Sequence, residues 1–175
     1  MNQDELKVVP IGVIHSPFRN QQGTPIQPAT AAGAQGTVEV FPDYREGLRD
    51  LDGFERIWLV YRFHRSREAR LTVVPYRDTR PHGVFATRAP SRPNHLGISA
   101  VRLLGVSGGV LTVADIDIID GTSLLDIKPY VPEFDCFALS QSGWLEGNRS
   151  SPTIADDRFS DKQGENKGRA DGKNE

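Results

Sequence analysis

Apolar residues in this chain fall in short runs that alternate with polar ones, and glycine, proline and charged clusters separate the runs. That period of two reads as strands. Val8 to Ser16 opens with Val8, Val9, Ile11 and Val13, interrupted by Pro10 and Gly12, which suits an edge or bent strand. A long connection follows from Pro17 to Gly36, rich in proline and glycine; loops of that length in a compact domain are usually functional or mobile. Gly36 to Phe41 alternates as a strand. Asp43 to Phe54 places Leu48, Leu51 and Phe54 at helical spacing, with Asp43 as the N-cap. Ile57 to Phe63, IWLVYRF, is the clearest strand, because aromatic and β-branched side chains suit a pleated surface. Leu71 to Val74, Gly83 to Ala86, Ile98 to Gly105, Val110 to Ile119 and Leu124 to Tyr130 continue the pattern, and Ser107-Gly108-Gly109 marks a hairpin. About seven short strands, one or two short helices and no βαβ rhythm predict a mainly β domain, a barrel or a sandwich.

From Glu146 to Glu175 the pattern stops: 13 of the 30 residues are charged and few are apolar. Burial there cannot offset the ordering entropy, so the composition predicts a domain over residues 1–145 and a polar, disordered tail over 146–175. With 175 residues and 37% hydrophobic content the chain can build one core without disulfides or metal. Its lone cysteine, Cys136, and four histidines without ligand spacing predict no metal centre. The polar N-terminus and the lack of a long apolar run predict no leader, no membrane span and a cytoplasmic setting. No G-x-G-x-x-G or Walker sequence follows a strand, so the common nucleotide-binding routes are excluded.

Charge changes the picture further. The formal net charge is only -2, yet Arg62 to His95 holds eight arginines against Glu68 and Asp78, and Asp115 to Asp135 holds six carboxylates against Lys128. Such segregation suits an anionic partner that the total alone would argue against.

Four stretches carry candidate chemistry. Arg88 and Arg92 stand in a loop stiffened by Pro90 and Pro93, a way to build a clamp for a carboxylate or other anion; the alternative is a turn with solvated charges. Asp120-Gly121-Thr122-Ser123 joins a turn-forming pair to two hydroxyls able to grip a ribose or an amine, or forms a purely structural turn. His64 and Arg65 close the IWLVYRF strand, where a histidine can carry a proton near neutrality or hydrogen-bond a ligand, or is simply a satisfied strand-end residue. Pro25-Ile26-Gln27-Pro28 can present the Ile26 and Gln27 backbone to a ligand from the long loop, or is only a connector. Asp126 and Lys128, two apart on one strand face, predict a salt bridge. Cys136, beside the acidic Glu133 and Asp135, is a poor nucleophile candidate.

Taken in order, IGVIHSPFRN (11–20), PIQP (25–28), GFERIWLVYRFHRS (53–66), GVFATRAPSRPNHLGIS (83–99) and DGTSLLDIKPYVP (120–132) resemble the TsaA-like family, also called the TrmO or YaeB family, over roughly Val9 to Phe137. The resemblance implies a single β-barrel that binds S-adenosyl-L-methionine as a homodimer and methylates the exocyclic amine of a threonylcarbamoyl-adenosine beside the tRNA anticodon. Carried over, the cofactor contacts fall at Pro25, Ile26, Gln27, His64, Arg65, Arg88, Ile98, Asp120, Gly121, Thr122 and Ser123. Larger bacterial members continue into a folded C-terminal domain, in place of which this chain has the polar tail. His64, Asp126 and Tyr130 are candidates for a base that removes the acceptor's proton, and Arg67, Arg70, Arg77 and Arg80 are expected to meet RNA phosphates, the alternative being that these arginines solvate an outer face or form a dimer interface. A cofactor-binding module without catalysis and a methyltransferase for a smaller acceptor are the alternatives.

Overall fold

Alternation along the strands becomes an inside and an outside. In β3 (Arg56–Arg62) the side chains of Ile57, Leu59 and Tyr61 are buried while Trp58 and Val60 between them are half-exposed. A computed structural model of the chain describes residues 7–138, 141–147 and 153–160. Its strands are β1 (Gly12–His15), β2 (Gln35–Val40), β3, β4 (Thr72–Val73), β5 (His82–Gly83), β6 (Leu96–Ser107), β7 (Val110–Ala114) and β8 (Thr122–Pro129). Six of them close an antiparallel barrel in the order β1-β2-β7-β6-β3-β8. The barrel is filled by one cluster including Ile14, Val38, Leu59, Val101, Leu111 and Leu124, all fully buried. The fold is therefore the mainly β single barrel expected.

Local details follow from residue type. The β6–β7 hairpin turns on Gly108 and Gly109, both at positive φ (58° and 87°), the geometry a two-residue turn of this hand requires. Gly97 on β6 faces the rings of Tyr61 and Phe63, which pack edge to face at 5.4 Å; any β-carbon at position 97 would overlap the Tyr61 ring. The β3–β8 register shifts between Val60 and Tyr61, a bulge that bends the end of β3.

Four expectations differ from the structure. Leu71–Val74 and Gly83–Ala86 do not join the barrel: β4 and β5 pair only with each other, and Val84–Ala86 continues as a 3-10 turn. Asp43–Phe54 forms two 3-10 segments, Pro42–Leu48 and Leu51–Gly53, in place of one helix, and Phe41, not Asp43, occupies the cap. Val110–Ile119 leaves the sheet at Ala114, because Asp115 takes a left-handed conformation (φ 62°) held by Gly33 N–H and by Arg56 at 2.9 Å. Finally, Thr153–Ser160 is not a solvated tail. Ala155 and Phe159 are buried, and the strand-like backbone of Ile154 bridges Pro25. Phe159 joins Val73, Val84 and Ala89 in a second small core outside the barrel, with Tyr76 edge-on at 5.2 Å. The other residues of the expected tail beyond Gly147 lie outside the described ones.

Candidate functional site

A cleft of about 1020 Å³ opens between the end of β3, the loop 21–27, the 85–98 loop and the segment 117–122, with Ala155 and Phe159 on one wall. That volume matches a drug-sized or nucleoside-sized ligand, and the lining is mostly apolar with a few polar groups, the usual makeup of a small-molecule site.

The polar groups are organised. Asp117 lies between the buried Ile116 and Ile118, so the left-handed turn at Asp115 that sends both isoleucines into the core sends Asp117 to the cleft. Ser99 donates to Asp117 Oδ1 at 2.6 Å, which leaves the Ser99 oxygen to accept from the Tyr61 hydroxyl at 3.0 Å. Burial pushes the Asp117 carboxyl up to about 7, against the hydrogen bond from Ser99 and the positive field of Arg88, which pull it down. Burial and the Asp117 charge likewise raise Tyr61 far above its ordinary value, so its hydroxyl stays protonated. Arg88 is held from the long loop, donating through Nη1 to Gln27 Oε1 at 2.7 Å, while the Gln27 amide is fixed on Ile26 O at 2.7 Å. An acid poised near neutrality and a fixed guanidinium thus share one apolar cavity.

His64 stands on the cleft wall just past β3. The Thr122 hydroxyl donates to Ile119 O at 2.6 Å, so its oxygen accepts from His64 Nδ1–H at 3.1 Å. This assigns the proton to Nδ1 and leaves Nε2 with its lone pair. Partial burial, then Arg65 and Arg62, lower the imidazole pKa, which keeps the ring neutral at neutral pH.

The other predicted positions divide. Pro25, Ile26, Gln27, His64, Arg65, Arg88, Ile98 and Thr122 all line the cleft. Gly121 (φ 75°) makes the turn into β8, and Ser123 faces Val13 of β1; neither lines it. Asp120 lies in an adjoining hollow with Arg19, Asn20 and Arg65; the Ser16 N–H, then His15 and Arg19, hold its carboxyl below the ordinary range. Asp126 pairs with Lys128 at 2.9 Å on the barrel wall, and Tyr130 packs against Trp58 at 5.5 Å. Neither is brought to the cleft within one chain. Arg92 also lines the cleft, and its Nη1 donates to Val84 O and Thr87 O at 3.1 and 2.9 Å, which closes the loop on itself. Arg67 is spent on the C-terminal segment, donating through Nε to Ser160 O at 2.5 Å. Arg77 lines the cleft, Arg70 is exposed, and Arg80 lies 3.8 Å from Asp78 on the surface.

Sequence reasoning did not single out Asp117, Ser99 and Tyr61. The signal available was an aspartate enclosed by isoleucines in ADIDIID. Nor did it find the corner where His82 stacks on Trp144 at 4.4 Å and binds Asp78 at 2.9 Å, holding that carboxyl down to about 2.

Comparison with known proteins places the chain in a family. Residues 13–136 match the model of the tRNA-methyltransferase O N-terminal domain. A probable S-adenosyl-L-methionine-binding protein of Pyrococcus abyssi is 55% identical over 139 residues, covering 79% of this chain and 76% of that one. The human tRNA (adenine(37)-N6)-methyltransferase is 35% identical over 133 residues, 72% of this chain but 30% of its own length. The crystal structure of TrmO from Pseudomonas aeruginosa superposes with a TM-score of 0.70 at 39% identity, covering 83% of this chain and 63% of that one. The chain thus spans most of the archaeal relative but under two thirds of the bacterial one and a third or less of the human one. On the family match and these identities, the chain belongs to the tRNA-methyltransferase O N-terminal domain family.

Proposed function

We propose that the protein is an S-adenosyl-L-methionine-dependent tRNA methyltransferase whose acceptor is the exocyclic amine of threonylcarbamoyl-adenosine beside the anticodon. The observation that carries this reading is one cleft in which a buried acid and a fixed guanidinium face apolar walls. The residues present fit the cofactor. Its α-carboxylate suits Arg88, its ammonium suits the ionised form of Asp117, and its adenine suits apolar side chains such as Ile98 and Phe63. Bound there, the cofactor supplies an electrophilic methyl group on a sulfonium.

The acceptor nitrogen, held between a carbonyl and a purine, is a weak nucleophile until its proton leaves. Of the three candidate bases, His64 is supported by its place on the cleft wall, its neutral ring and its free Nε2. Nε2 takes the amine proton as the methyl arrives, and the Thr122 oxygen steadies the imidazolium through Nδ1–H. Alignment of acceptor, methyl and sulfur supplies much of the acceleration, on the order of 7–11 kcal/mol in favourable systems. Asp120, Gly121 and Ser123 act behind this site, shaping the turn that carries Thr122. The name of the human relative supports adenine N6 at position 37; the threonylcarbamoyl group is our finer assignment. We also assign a homodimer and a cytoplasmic setting. No helix among the described residues is long and apolar enough to cross a membrane, and the exposed Phe134 and Phe137 offer a second copy an apolar face.

The deciding experiment is incubation with labelled cofactor and tRNA from cells lacking the endogenous enzyme, followed by nucleoside analysis. Label in N6-methylated threonylcarbamoyl-adenosine is expected. Cofactor binding without transfer would leave a binding module, and transfer surviving ribonuclease would point to a small acceptor.

A further inference from the structure

Phe85 stands on the rim of the cleft and is the most exposed large apolar side chain among the described residues, at 74%. A single exposed apolar residue is ordinary on a protein surface. This one is not loosely held. Val84 before it is fully buried in the second core, and the turn Val84–Ala86 is closed by Thr87, whose N–H and hydroxyl both reach Val84 O, at 3.1 and 2.9 Å. Arg92 ties the same carbonyl and Thr87 O to its guanidinium, and its Cζ lies 5.9 Å from the centre of the Phe85 ring. Trp144 fixes the next residue, donating through Nε1 to Ala86 O at 2.8 Å. The fold therefore spends a buried anchor, a guanidinium and an indole on holding one phenyl ring out in water.

Its surroundings limit what meets it. Arg65 and Arg77 line the same cleft. A rim that is cationic, with a flat apolar ring projecting from it, suits an anionic chain bearing flat rings, which is single-stranded RNA. An acidic peptide would satisfy the arginines but not the ring, and an apolar protein surface would leave the guanidinium groups desolvated and unpaired.

We propose that Phe85 is a stacking platform for an unpaired base of the substrate RNA, the neighbour of the nucleotide whose amine enters the cleft. The inference rests on the tRNA reading above and adds to it the residue that grips the loop. Stacking at the rim fixes the register in which the acceptor base turns inward, and Arg92 beneath the ring orients it and adds positive charge near the backbone.

The test uses the full chain with Phe85→Leu and Phe85→Trp, and reads methyl-transfer kinetics, cofactor affinity by calorimetry and thermal stability. A second readout is the fluorescence of an anticodon stem-loop carrying 2-aminopurine beside the acceptor, which is quenched on stacking. Phe85→Leu, which keeps the apolar bulk but removes the ring, is expected to raise KM for tRNA roughly tenfold, the order of one lost base stack, with cofactor affinity and melting temperature unchanged. Phe85→Trp is expected to restore KM and quenching. A wild-type protein that methylates tRNA while Phe85→Leu matches its KM and its quenching overturns the platform alone. Parallel loss of cofactor affinity in Phe85→Leu also overturns it, because the ring would then be a wall of the cofactor cavity. A wild-type protein that neither binds nor methylates tRNA overturns the platform together with the tRNA reading.

Discussion

Asp117 carries an electrostatic conflict that gives the cleft a pH response. Its carboxyl, ordinarily at 3.8, is pushed up to about 7, chiefly by burial. Below the ordinary value it is protonated whether the chain is folded or not. Between there and about 7 only the unfolded chain ionises it, so stability falls across that window and levels off above it. Asp117→Asn is expected to remove this component of the decline, read as melting temperature against pH in the two proteins. Ligand binding runs the other way. A cationic cofactor prefers the ionised acid, so its affinity should rise as pH passes through about 7 and stay flat in Asp117→Asn, measured by calorimetry. For His64, Gln is expected to lower kcat on the order of a hundredfold or more, the range of a lost general base, with cofactor affinity nearly unchanged. Equal losses in both would remove the base role. Pro25, Ile26, Gln27, His64, Arg65, Arg88, Ile98 and Thr122 were legible because motifs placed them in turns and at strand ends. Asp117 was not, since an aspartate between isoleucines reads as a strand until the left-handed Asp115 is seen to end it.

Strands were legible where alternation was long, as in β3 and β6, and misread where it was short. Thr72–Val73 and His82–Gly83 have too few residues for a period to show, and their pairing depends on a contact across the intervening loop. The segment Thr153–Ser160 was missed for a related reason: only Ile154, Ala155 and Phe159 are apolar, and their partners lie far away in sequence. The segment joins three walls of the cleft. Ala155 exchanges hydrogen bonds with Gly23 and Thr24, Phe159 O accepts from Arg67 N–H, and Arg158 reaches Pro75 O at 2.8 Å while lying over the Tyr76 ring. Phe159→Ala is expected to destabilise the protein by about 3–5 kcal/mol if this small core unfolds with the barrel, seen in denaturant titration. If it opens alone, the loss will instead appear as weaker cofactor binding at unchanged global stability. Either result separates the segment from a solvated tail.

At the scale of the whole molecule, the -2 total is a sum over unlike surfaces. Part of the arginine-rich stretch is used internally, as Arg67 and Arg92 are, which no count of charges could reveal. Arg70 and Arg80 remain exposed, and their joint replacement by Ala is expected to make the dependence of tRNA affinity on salt less steep, by about two units of log–log slope if each meets one phosphate. Binding measured from low to moderate salt reads this directly; an unchanged slope assigns both to solvent. The barrel has one more consequence. Its six strands each have two neighbours, so the main sheet ends nowhere and offers no row of unpaired amides and carbonyls on which another chain could grow. The barrel is thereby protected from edge-to-edge aggregation without the charged or proline-studded border strands that an open sheet needs, and the only open strand edges among the described residues are those of the two-residue β4 and β5.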